Sequence, residues 1–483
     1  MGERLVLGID FGSSAAKAVL ADTAGGVLAV ASCPQTVRRP GAGLVEQDPA
    51  DWWEALRELV GRLLTAVPTK SLAGLAISAH FPTLLLTDEV GMPLLPALLY
   101  ADTRADAWVA EAARITGENL LGDEIVPKLL WLRATRPDLV GRVRHLFNPQ
   151  DYLGYRLSGQ HAVDHRTAVR TGGLFDVERL AWREDVVRSV GLDPAILPEI
   201  RAAGSILGTV SSDAAQQTGI PAGTPVIVGL PDTPAALLGA GVVRQGDVLL
   251  YYGTTATADV CIHDAEVYLR DPAHIAQGGL YREVAYAVLG PALPWAASGF
   301  TGLAQAPADI EALDDLVARL PNDPDAPFVM PYFLAHARAD LVVRRPAIVG
   351  FDVQHNRAHL HRALLESFGY VIRAGLEDAG MWSVGQHFTA AGGGARSETW
   401  RQIVSDVLGA DQAWVAASDG ALGDAMLAAW AVGEVDTFGA GRARWLKEPV
   451  VTHPRAGAHH MHQRRYATWR RLRDTLWAAF QPC

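Results

Sequence analysis

The first thirty residues alternate short apolar runs with turns of small and polar residues. The runs Leu5–Ile9, Lys17–Ala21 and Val27–Val30 have strand length, and the turns Asp10–Ser14 and Asp22–Gly26 separate them. This pattern predicts three consecutive strands joined by tight turns.

A helix is predicted after these strands. Asp48 can cap its N-terminus, and Pro49 suits its first turn. Its apolar positions recur at helical spacing: Trp52, Leu56, Leu59 and Leu63. We predict further strands at Leu75–Ser78 and Leu84–Thr87, and helices that begin near Ala105, Lys128 and Pro137.

A similar pattern restarts near residue 225. The predicted elements are a strand at Val226–Leu230, a helix at Thr233–Gly241, and strands at Asp247–Tyr252 and Ala256–Cys261. Helices are predicted later at Arg357–Asp378, Ser397–Leu408 and Leu422–Val432. Two strand–turn–strand units indicate two related α/β domains, which we place at residues 1–243 and 244–483.

Composition and charge narrow the class of protein. The chain has 483 residues, more than one hydrophobic core can serve. Its three cysteines (Cys33, Cys261 and Cys483) are too few and too scattered for a disulfide scaffold, an iron–sulfur site or a zinc finger, which favours a reducing compartment. The net charge of −11 argues against nucleic acid as the main partner.

Neither the start of the chain nor its longest uncharged stretch predicts a secretory or membrane segment. Asp10 interrupts the first apolar run, and three prolines break the longest uncharged stretch, Val284–Ala308. We therefore expect a cytoplasmic protein without a membrane partner. The basic C-terminal segment predicts a solvated helix, and we interpret His459–His462 as a solvated stretch of it, not a metal site.

Small and hydroxyl residues at the first turn suit phosphate binding. Gly12 lets backbone N–H groups approach phosphate oxygens, Ser13 and Ser14 add donors, and Lys17 adds a cation. Asp10 could hold hydrated Mg²⁺. An ordinary hairpin turn is an equally good interpretation of these residues by themselves.

Two later turns have related chemistry. Gly253, Thr254 and Thr255 form a second candidate phosphate turn, which could face the first across a cleft. Between an apolar run and a helix, Gly393, Gly394, Ala395 and Ser397 would let a flat adenine ring lie against the backbone, although a simple strand-to-helix loop is the alternative. The chain lacks a complete P-loop or dinucleotide fingerprint.

These motifs together resemble the FGGY carbohydrate kinases. The segments that carry the resemblance follow one another in the family's order: Val6–Lys17, Val45–Trp52, Leu98–Arg104, Pro127–Trp131, Gly229–Thr233, Gly350–Glu366 and Gly392–Ser397. The resemblance covers nearly the whole chain. It implies an α/β fold of two ribonuclease-H-like (actin/Hsp70/hexokinase-type) domains flanking a nucleotide- and sugar-binding cleft.

The resemblance also implies a reaction, the ATP-dependent phosphorylation of a sugar or polyol hydroxyl with Mg²⁺. Asp232 would then be the catalytic general base, and Asp10 and Asp232 the metal residues. The three glycine-containing turns would bind ATP. A helix cap is the alternative role for Asp232, because a predicted helix follows it.

The resemblance defines the sugar substrate less closely than it defines the reaction. Phe81 and Pro82 stand where some members of the family have a Met–His pair that touches the sugar. His80, Phe81, Asp102, Arg104 and Arg338 are the remaining candidate sugar contacts. His80 could equally be a satisfied polar residue, and Asp102 with Arg104 could equally hold a loop.

A pentulose such as xylulose or ribulose is the first substrate hypothesis. A polyol or sugar acid, such as glycerol, erythritol or gluconate, is the alternative. A conformational ATPase and a sugar sensor without turnover are further interpretations of the same fold. The only partner expected is the small-molecule substrate, with a homodimer as one option for the assembly.

Overall fold

The computed structural model describes residues 4–67, 72–253, 255–289, 292–297, 307–332, 346–383, 385–415, 419–446 and 449–479. The predicted site residues Thr254 and Arg338 lie outside these residues. Contacts between Cα atoms divide the chain into two compact units. Unit 1 comprises Met1–Val243, His263–Leu280 and Ser418–Lys447; unit 2 comprises Arg244–Ile262, Tyr281–Ala417 and Glu448–Cys483.

The units differ from the two contiguous domains of the sequence analysis. The predicted division after Val243 is a point where the chain passes from unit 1 to unit 2, but residues 263–280 and 418–447 pack with unit 1. A contact in unit 1 gives the reason. A Cβ atom on Gly8 would lie 2.0 Å from the carbonyl oxygen of Ala421, so the later segment packs directly on the first strand. Local sequence patterns do not report such contacts.

Each unit is built on a six-stranded sheet. The strands of unit 1 are β1 (Leu5–Phe11), β2 (Ala15–Asp22), β3 (Val27–Pro34), β4 (Gly74–Ala79), β5 (Ile206–Thr209) and β6 (Pro225–Ile227). Those of unit 2 are β7 (Val248–Tyr252), β8 (Thr255–Cys261), β9 (Tyr281–Val288), β10 (Phe388–Ala391), β11 (Gln412–Trp414) and β12 (Val450–Thr452).

The two sheets share the directions of their strands and differ in the chain order of the last two. Their strand orders are β3-β2-β1-β4-β6-β5 and β9-β8-β7-β10-β11-β12. In each sheet, the first three strands in the order given are antiparallel to their neighbours. The fourth and fifth strands run parallel to the third, and the sixth is antiparallel to the fifth. This repeated ribonuclease-H-like arrangement confirms the fold class predicted from the sequence.

The helices of eight or more residues in the described part of the chain are α1 (Pro49–Ala66), α2 (Val109–Thr116), α3 (Ile125–Thr135), α4 (Pro149–Ser158), α5 (Asp232–Gly239), α6 (Pro307–Ala318), α7 (Arg357–Asp378), α8 (Glu398–Leu408), α9 (Gly420–Ala431), α10 (Phe438–Trp445) and α11 (Ala456–Ala479). Shorter helices, including 3₁₀ turns, lie at Asp106–Trp108, Pro137–Val140, His165–Val169, Glu184–Ser189, Pro194–Ile196, Ser212–Thr218, Ala265–Arg270, Pro272–Gln277, Ala292–Ala297 and Gly393–Arg396. Short strands pair Glu46–Gln47 with Ala97–Leu98, Leu85–Thr87 with His145–Phe147, Ala162–Asp164 with Glu199–Arg201, Phe175–Asp176 with Ala181–Trp182, and Phe328–Met330 with Ala347–Val349.

The start of α1 forms as the sequence predicts. Asp48 accepts a hydrogen bond from the Ala50 N–H at 3.0 Å, and Pro49 occupies the first turn, where no N–H partner is needed. The predicted apolar face is buried against the sheet of unit 1: Trp52, Leu56, Leu59 and Leu63.

The C-terminal helix α11 is present, but the prediction that it is solvated was wrong. Trp469 is buried in the core of unit 2, and Arg465 forms a buried ion pair with Glu366 at 3.0 Å. His462, from the stretch interpreted as solvated, is buried and hydrogen-bonded to the Tyr370 hydroxyl at 2.8 Å. Much of the helix therefore packs on unit 2. Among the described residues, no helix is long and apolar enough to span a membrane.

Candidate functional site

The carboxyl ends of three strands in unit 1 bring together the first candidate residues. β1 pairs in parallel with β4, and Asp10 lies opposite Ser78 in that register. An isolated parallel bridge joins Ala79 to Pro231, directly before Asp232. Because parallel strands end at the same sheet edge, Asp10, Ser78 and Asp232 gather there.

Helix α9 adds two acidic residues that the sequence analysis missed. Asp419 caps its N-terminus by accepting a hydrogen bond from the Leu422 N–H at 3.3 Å, and Asp424 lies one turn further along. A Cβ atom on Gly420 would lie 2.8 Å from the carboxyl carbon of Asp10, so only glycine allows this approach. The small residues Gly420, Ala421 and Gly423 were the available sequence signal for a close helix–strand contact.

Burial raises the pKa values of two of these carboxylates. Burial raises the pKa of Asp10 to about 7, and the charges of Asp232 and Asp419 add to the effect, while Lys17 and Ser78 oppose it. Burial also raises the pKa of Asp232 to about 6, against the stabilising hydrogen bonds from Thr233 and the charge of Arg170. Carboxylates with such values can accept a proton near neutral pH.

Asp232 is the first residue of α5 and does not act as its N-cap, which is Pro231. Its Oδ1 accepts a hydrogen bond from the Thr233 N–H at 2.7 Å and lies 3.3 Å from the Thr233 hydroxyl. Its Oδ2 accepts no hydrogen bond from the described residues. The half-buried side chain therefore keeps one oxygen available to a ligand.

The turn between β1 and β2 contains the first predicted phosphate residues. In the described structure, the backbone N–H groups of Gly12, Ser13 and Ser14 donate to no protein acceptor. The exposed side chain of Lys17 forms an ion pair with Asp419 across 3.4 Å. The turn thus offers unused donors, but its cation already has an acidic neighbour.

His80 lies in a buried hydrogen-bond network at the end of β4. Its Nδ1 lies 2.8 Å from the Thr83 hydroxyl, and its Nε2 lies 2.8 Å from Oε1 of Gln47. Burial lowers its pKa to about 3, so the ring is neutral. Both ring nitrogens are occupied, which favours the interpretation of His80 as a satisfied polar residue. Phe81 follows it, joined to Pro82 by a cis peptide bond, and is partly exposed.

Asp102 and Arg104 form an internal ion pair. Arg104 donates to both oxygens of Asp102 at 2.7 Å, and Asp102 also accepts from the Val45 N–H at 2.6 Å. Arg104 further contacts Glu46 at 2.7 Å and lies over the ring of Trp131. Asp102 is fully buried, so this geometry favours the loop-holding alternative for the pair.

Unit 2 contains a cavity of about 1100 Å³ that includes predicted nucleotide residues. Gly253, Gly393, Gly394 and Ser397 line it, whereas the side chain of Ala395 is buried in the core of the unit. A Cβ atom on Gly393 would meet no atom within 4 Å, so this glycine borders open space. Thr255, predicted with Gly253, is the first residue of β8.

Ser397 is occupied by contacts within the protein. Its hydroxyl donates to Asp314 at 2.5 Å and accepts from the Trp400 N–H at 3.1 Å, which caps α8. Asp314 also binds Nε2 of the buried His361 at 2.7 Å. Asp314 and His361, both on the cavity wall, were missed because this contact joins three separate segments.

The acidic residues of unit 1 suit a metal only as a hydrated ion. The described residues contain no cluster of three or more His, Cys, Asp or Glu side chains arranged to ligate a metal directly. Mg²⁺ keeps several of its waters and commonly binds through one or two carboxylates together with substrate phosphates. The free Oδ2 of Asp232 fits such an ion, and so does the raised pKa of Asp10, which burial and the charges of Asp232 and Asp419 cause.

Two family models match the chain. Residues 5–239 match the N-terminal domain, and residues 249–432 the C-terminal domain, of the FGGY family of carbohydrate kinases. A xylulose kinase of Bacillus subtilis (strain 168) is 27% identical over 478 residues, covering 94% of this chain and 93% of that protein. A xylulose kinase of Escherichia coli (strain K12) is 27% identical over 492 residues and covers 99% of both.

A solved structure supports the same relationship. The crystal structure of xylulose kinase from Rhodospirillum rubrum has a TM-score of 0.82 and 30% identity, covering 99% of this chain and 100% of that one. The two family models together span most of the sequence, and the strand topology of both units agrees with them. The chain belongs to the FGGY family of carbohydrate kinases.

Proposed function

We propose that this carbohydrate kinase transfers the γ-phosphoryl group of ATP to a hydroxyl of a pentulose such as xylulose or ribulose, with Asp232 as the general base. The observation that carries the proposal is the carboxylate of Asp232, which keeps one oxygen free and has a pKa raised to about 6. Relatives named xylulose kinases support the choice of sugar.

The proton transfer follows from this environment. As the sugar oxygen attacks the γ-phosphorus, the bond from that phosphorus to the β,γ-bridging oxygen breaks, and ADP leaves. The hydroxyl proton passes to Oδ2 of Asp232. At neutral pH Asp232 is mostly ionised, yet its raised pKa makes it a better proton acceptor than an exposed aspartate.

Asp10 and Asp232 would hold hydrated Mg²⁺. Bound there, the ion would neutralise charge on the phosphates during phosphoryl transfer. Asp10 would act as an ionised outer ligand, because the positive charge of the ion offsets the repulsion from Asp232 and Asp419 that raises its pKa.

Each unit contains a separate feature that we propose for nucleotide binding. In unit 1, the free N–H groups of Gly12, Ser13 and Ser14 would donate to phosphate oxygens, and Lys17 would exchange its contact with Asp419 for a phosphate. In unit 2, the open side of Gly393 and the neighbouring Gly394 would receive the adenine. The roles of Gly253, Thr254, Thr255, Ala395, Ser397 and Arg338 stay predictions.

A sugar acid is the second candidate substrate, and Arg170 favours it. This half-buried guanidinium lies near enough to Asp232 and to Glu124 to oppose the rise in their pKa values. A cation beside the general base could bind the carboxylate of an aldonic acid. Phe81 would form an apolar part of either sugar site.

A coupled assay of ADP release across ketopentoses, polyols and aldonic acids tests the proposal. We expect weak ATPase activity alone and strong stimulation by xylulose or ribulose, with the phosphorylated sugar identified by mass spectrometry. Stimulation only by an aldonic acid would favour the second candidate. Equal ADP release with and without every sugar would overturn the kinase assignment in favour of a conformational ATPase. A cytoplasmic location and a homodimer stay predictions, the latter open to light scattering.

A further inference from the structure

Unit 2 contains another cavity, apart from the one that Gly393 and Gly394 line. Its volume is about 320 Å³, which is within the range of small-molecule sites. Strand β9, the second half of α7 and the end of α11 form much of its wall, and no described residue lines both cavities. The proposed kinase reaction uses none of the residues around it.

Aromatic side chains form one side of this cavity. The ring centroids of Tyr332 and Trp477 lie 5.8 Å apart, with 56° between the ring planes. The central guanidinium carbon of Arg473 lies 4.7 Å from the centroid of the Trp477 ring. Val371 and Ala374 add apolar surface from α7. This side of the cavity suits the flat or apolar part of an organic molecule.

Arg473 brings a nearly buried positive charge to the wall. Only 7% of its side chain is exposed. Its Nη1 donates to Asp378 at 3.0 Å and its Nε donates to Asp474 at 2.8 Å, whereas its Nη2 donates to no residue that the structure describes. Each terminal nitrogen of a guanidinium carries two hydrogens, so Nη2 can donate to a ligand.

Arg282 on β9 adds a second guanidinium. It pairs with Val260 in the sheet, and paired residues of neighbouring strands point to the same face. Val260 packs in the same hydrophobic core as Phe368 of α7, so the side chain of Arg282 also lies on the α7 face. It is exposed and has neither a hydrogen-bond nor an ion-pair partner in the described part of the chain.

The acidic residues of the wall leave these donors available. Glu283 follows Arg282 in β9, and successive side chains of a strand point to opposite faces. Asp378 lies on the wall, but Arg470 donates to its Oδ1 and Arg473 donates to its Oδ2. The two guanidinium groups therefore favour a ligand with a carboxylate or phosphate group, whose oxygens match their donors.

We propose that this cavity binds a small organic anion. Its flat or apolar part packs against Trp477 and Tyr332, and its anionic oxygens accept hydrogen bonds from Arg473 and Arg282. A carboxylate and a phosphate monoester share this acceptor chemistry. The site is additional to the proposed function and does not depend on which sugar is phosphorylated.

NMR titrations of the full chain with four probes test the chemistry. Benzoate and phenyl phosphate combine a ring with an anionic group, benzyl alcohol has the ring without the charge, and inorganic phosphate has the charge without the ring. We expect a dissociation constant of about 1 mM or tighter for benzoate or phenyl phosphate. Benzyl alcohol and inorganic phosphate should bind at least about tenfold more weakly, because each lacks one half of the recognition.

The tighter of the two ring-bearing anions distinguishes a carboxylate ligand from a phosphate ligand. No binding of either of them, or equal binding of benzyl alcohol, would overturn the proposal.

Variants locate the bound probe. Arg282→Gln removes an exposed charge, and Ala379→Trp places a large side chain on the cavity wall, so each should weaken the affinity for the better probe at least about tenfold. Arg473 stays unchanged because it also joins α11 to α7. The exposed Arg357→Gln is the matched control, and Gly393→Val alters the other cavity; both should bind the probe like the wild type.

Circular dichroism and thermal unfolding establish that each variant is folded. Wild-type affinity in a folded Arg282→Gln or Ala379→Trp protein would overturn the proposal. Lost affinity in Gly393→Val would also overturn it, because the probe would then occupy the glycine-lined cavity.

Discussion

His80 and Gln47 are joined by a buried hydrogen bond of 2.8 Å in which the histidine Nε2–H donates to Oε1 of the glutamine. The direction follows from the other contacts of Gln47. Its Nε2 donates to the Ser13 carbonyl at 2.9 Å, and its Oε1 also accepts from the indole N–H of Trp52 at 3.0 Å. One side chain therefore ties the end of β4 and the start of α1 to the turn that carries the candidate phosphate donors.

Replacing this glutamine should disturb the turn. Gln47→Leu leaves the His80 and Trp52 donors and the Ser13 carbonyl without partners, which costs about 1–3 kcal/mol for each buried group that finds no water. We expect a lower melting temperature and a raised KM for ATP. Thermal unfolding and steady-state kinetics measure both, and the exposed Gln216→Leu is the control. An unchanged KM in a folded Gln47→Leu protein would show that the turn does not depend on this contact.

Removing the proposed base should stop turnover without preventing nucleotide binding. Asp232→Asn keeps the shape and the hydrogen bond from Thr233 but cannot take the hydroxyl proton, so kcat should fall about 10²–10⁴-fold. The dissociation constant for ATP, measured by calorimetry, should change little. Asp213→Asn, an exposed change of the same charge, should have wild-type kinetics. Retained turnover in Asp232→Asn would make Asp232 a structural residue.

The raised pKa values of Asp232 and Asp10 predict in which direction activity and stability change with pH. A general base must be ionised, so kcat/KM should fall as the pH is lowered through about 6, the pKa of Asp232. In the unliganded protein, a raised carboxyl pKa affects stability in the opposite sense: it makes the folded state more stable at low pH than at high pH. Because Asp10 binds its proton more tightly in the folded state than at its ordinary pKa of 3.8, its contribution to the free energy of unfolding is complete below that pH and is lost as the pH rises through about 7.

Two measurements check these signs. A pH profile of kcat/KM should show an acid limb, and thermal unfolding without ligand should show a smaller loss of stability between pH 5 and pH 8 in Asp10→Asn than in the wild type. An acid limb below pH 4 would mean that Asp232 titrates like an exposed aspartate.

Lys17 should matter for ATP more than for folding. Its ion pair with Asp419 is exposed, and such pairs contribute about 0–1 kcal/mol to stability. Lys17→Ala should raise the KM for ATP and lower kcat while the melting temperature stays nearly constant. Arg57→Ala, which breaks the exposed pair with Glu54, is the matched control. Unaltered ATP binding by calorimetry would place the phosphates elsewhere.

Substitutions at two neighbouring glycines in unit 2 should affect ATP binding and folding stability separately. A side chain on Gly393 would enter open space, whereas a Cβ atom on Gly394 would lie 2.5 Å from the ring of Trp400. Gly393→Val should therefore raise the KM for ATP about tenfold or more with an unchanged melting temperature. Gly394→Ala should lower the melting temperature. Normal ATP kinetics in Gly393→Val would exclude the adenine from this surface.

The elements with clear periodicity could be predicted from the sequence. The bounds of α7 agree with the prediction at both ends, and β1 to β3 were placed correctly although they extend a few residues further. Their signals are local, in alternating apolar residues and capping side chains. Of the site, Asp10 and Asp232 became candidates because each lies near the end of a strand predicted from the sequence.

The rest of the site depends on contacts between distant segments. Asp424 reaches Ser78 across 346 positions of sequence, and Gln47 reaches His80 across 33. No local pattern indicates which side chains such packing will unite. For the same reason the sequence could not show that Lys17 has an acidic partner in Asp419, or that Ser397 is already bound by Asp314.

The return of residues 418–447 to unit 1 has a consequence for synthesis of the protein. Helix α9 covers β1 so closely that Gly8 has no room for a side chain, and it supplies Asp419 and Asp424. While the chain emerges from the ribosome, the amino-terminal half must therefore wait, with one face of its sheet uncovered, until nearly the whole protein has been translated. A gene fragment that stops at residue 243 would encode a sheet without its covering helix, and chaperones that shield apolar surfaces should bind the nascent chain during that interval.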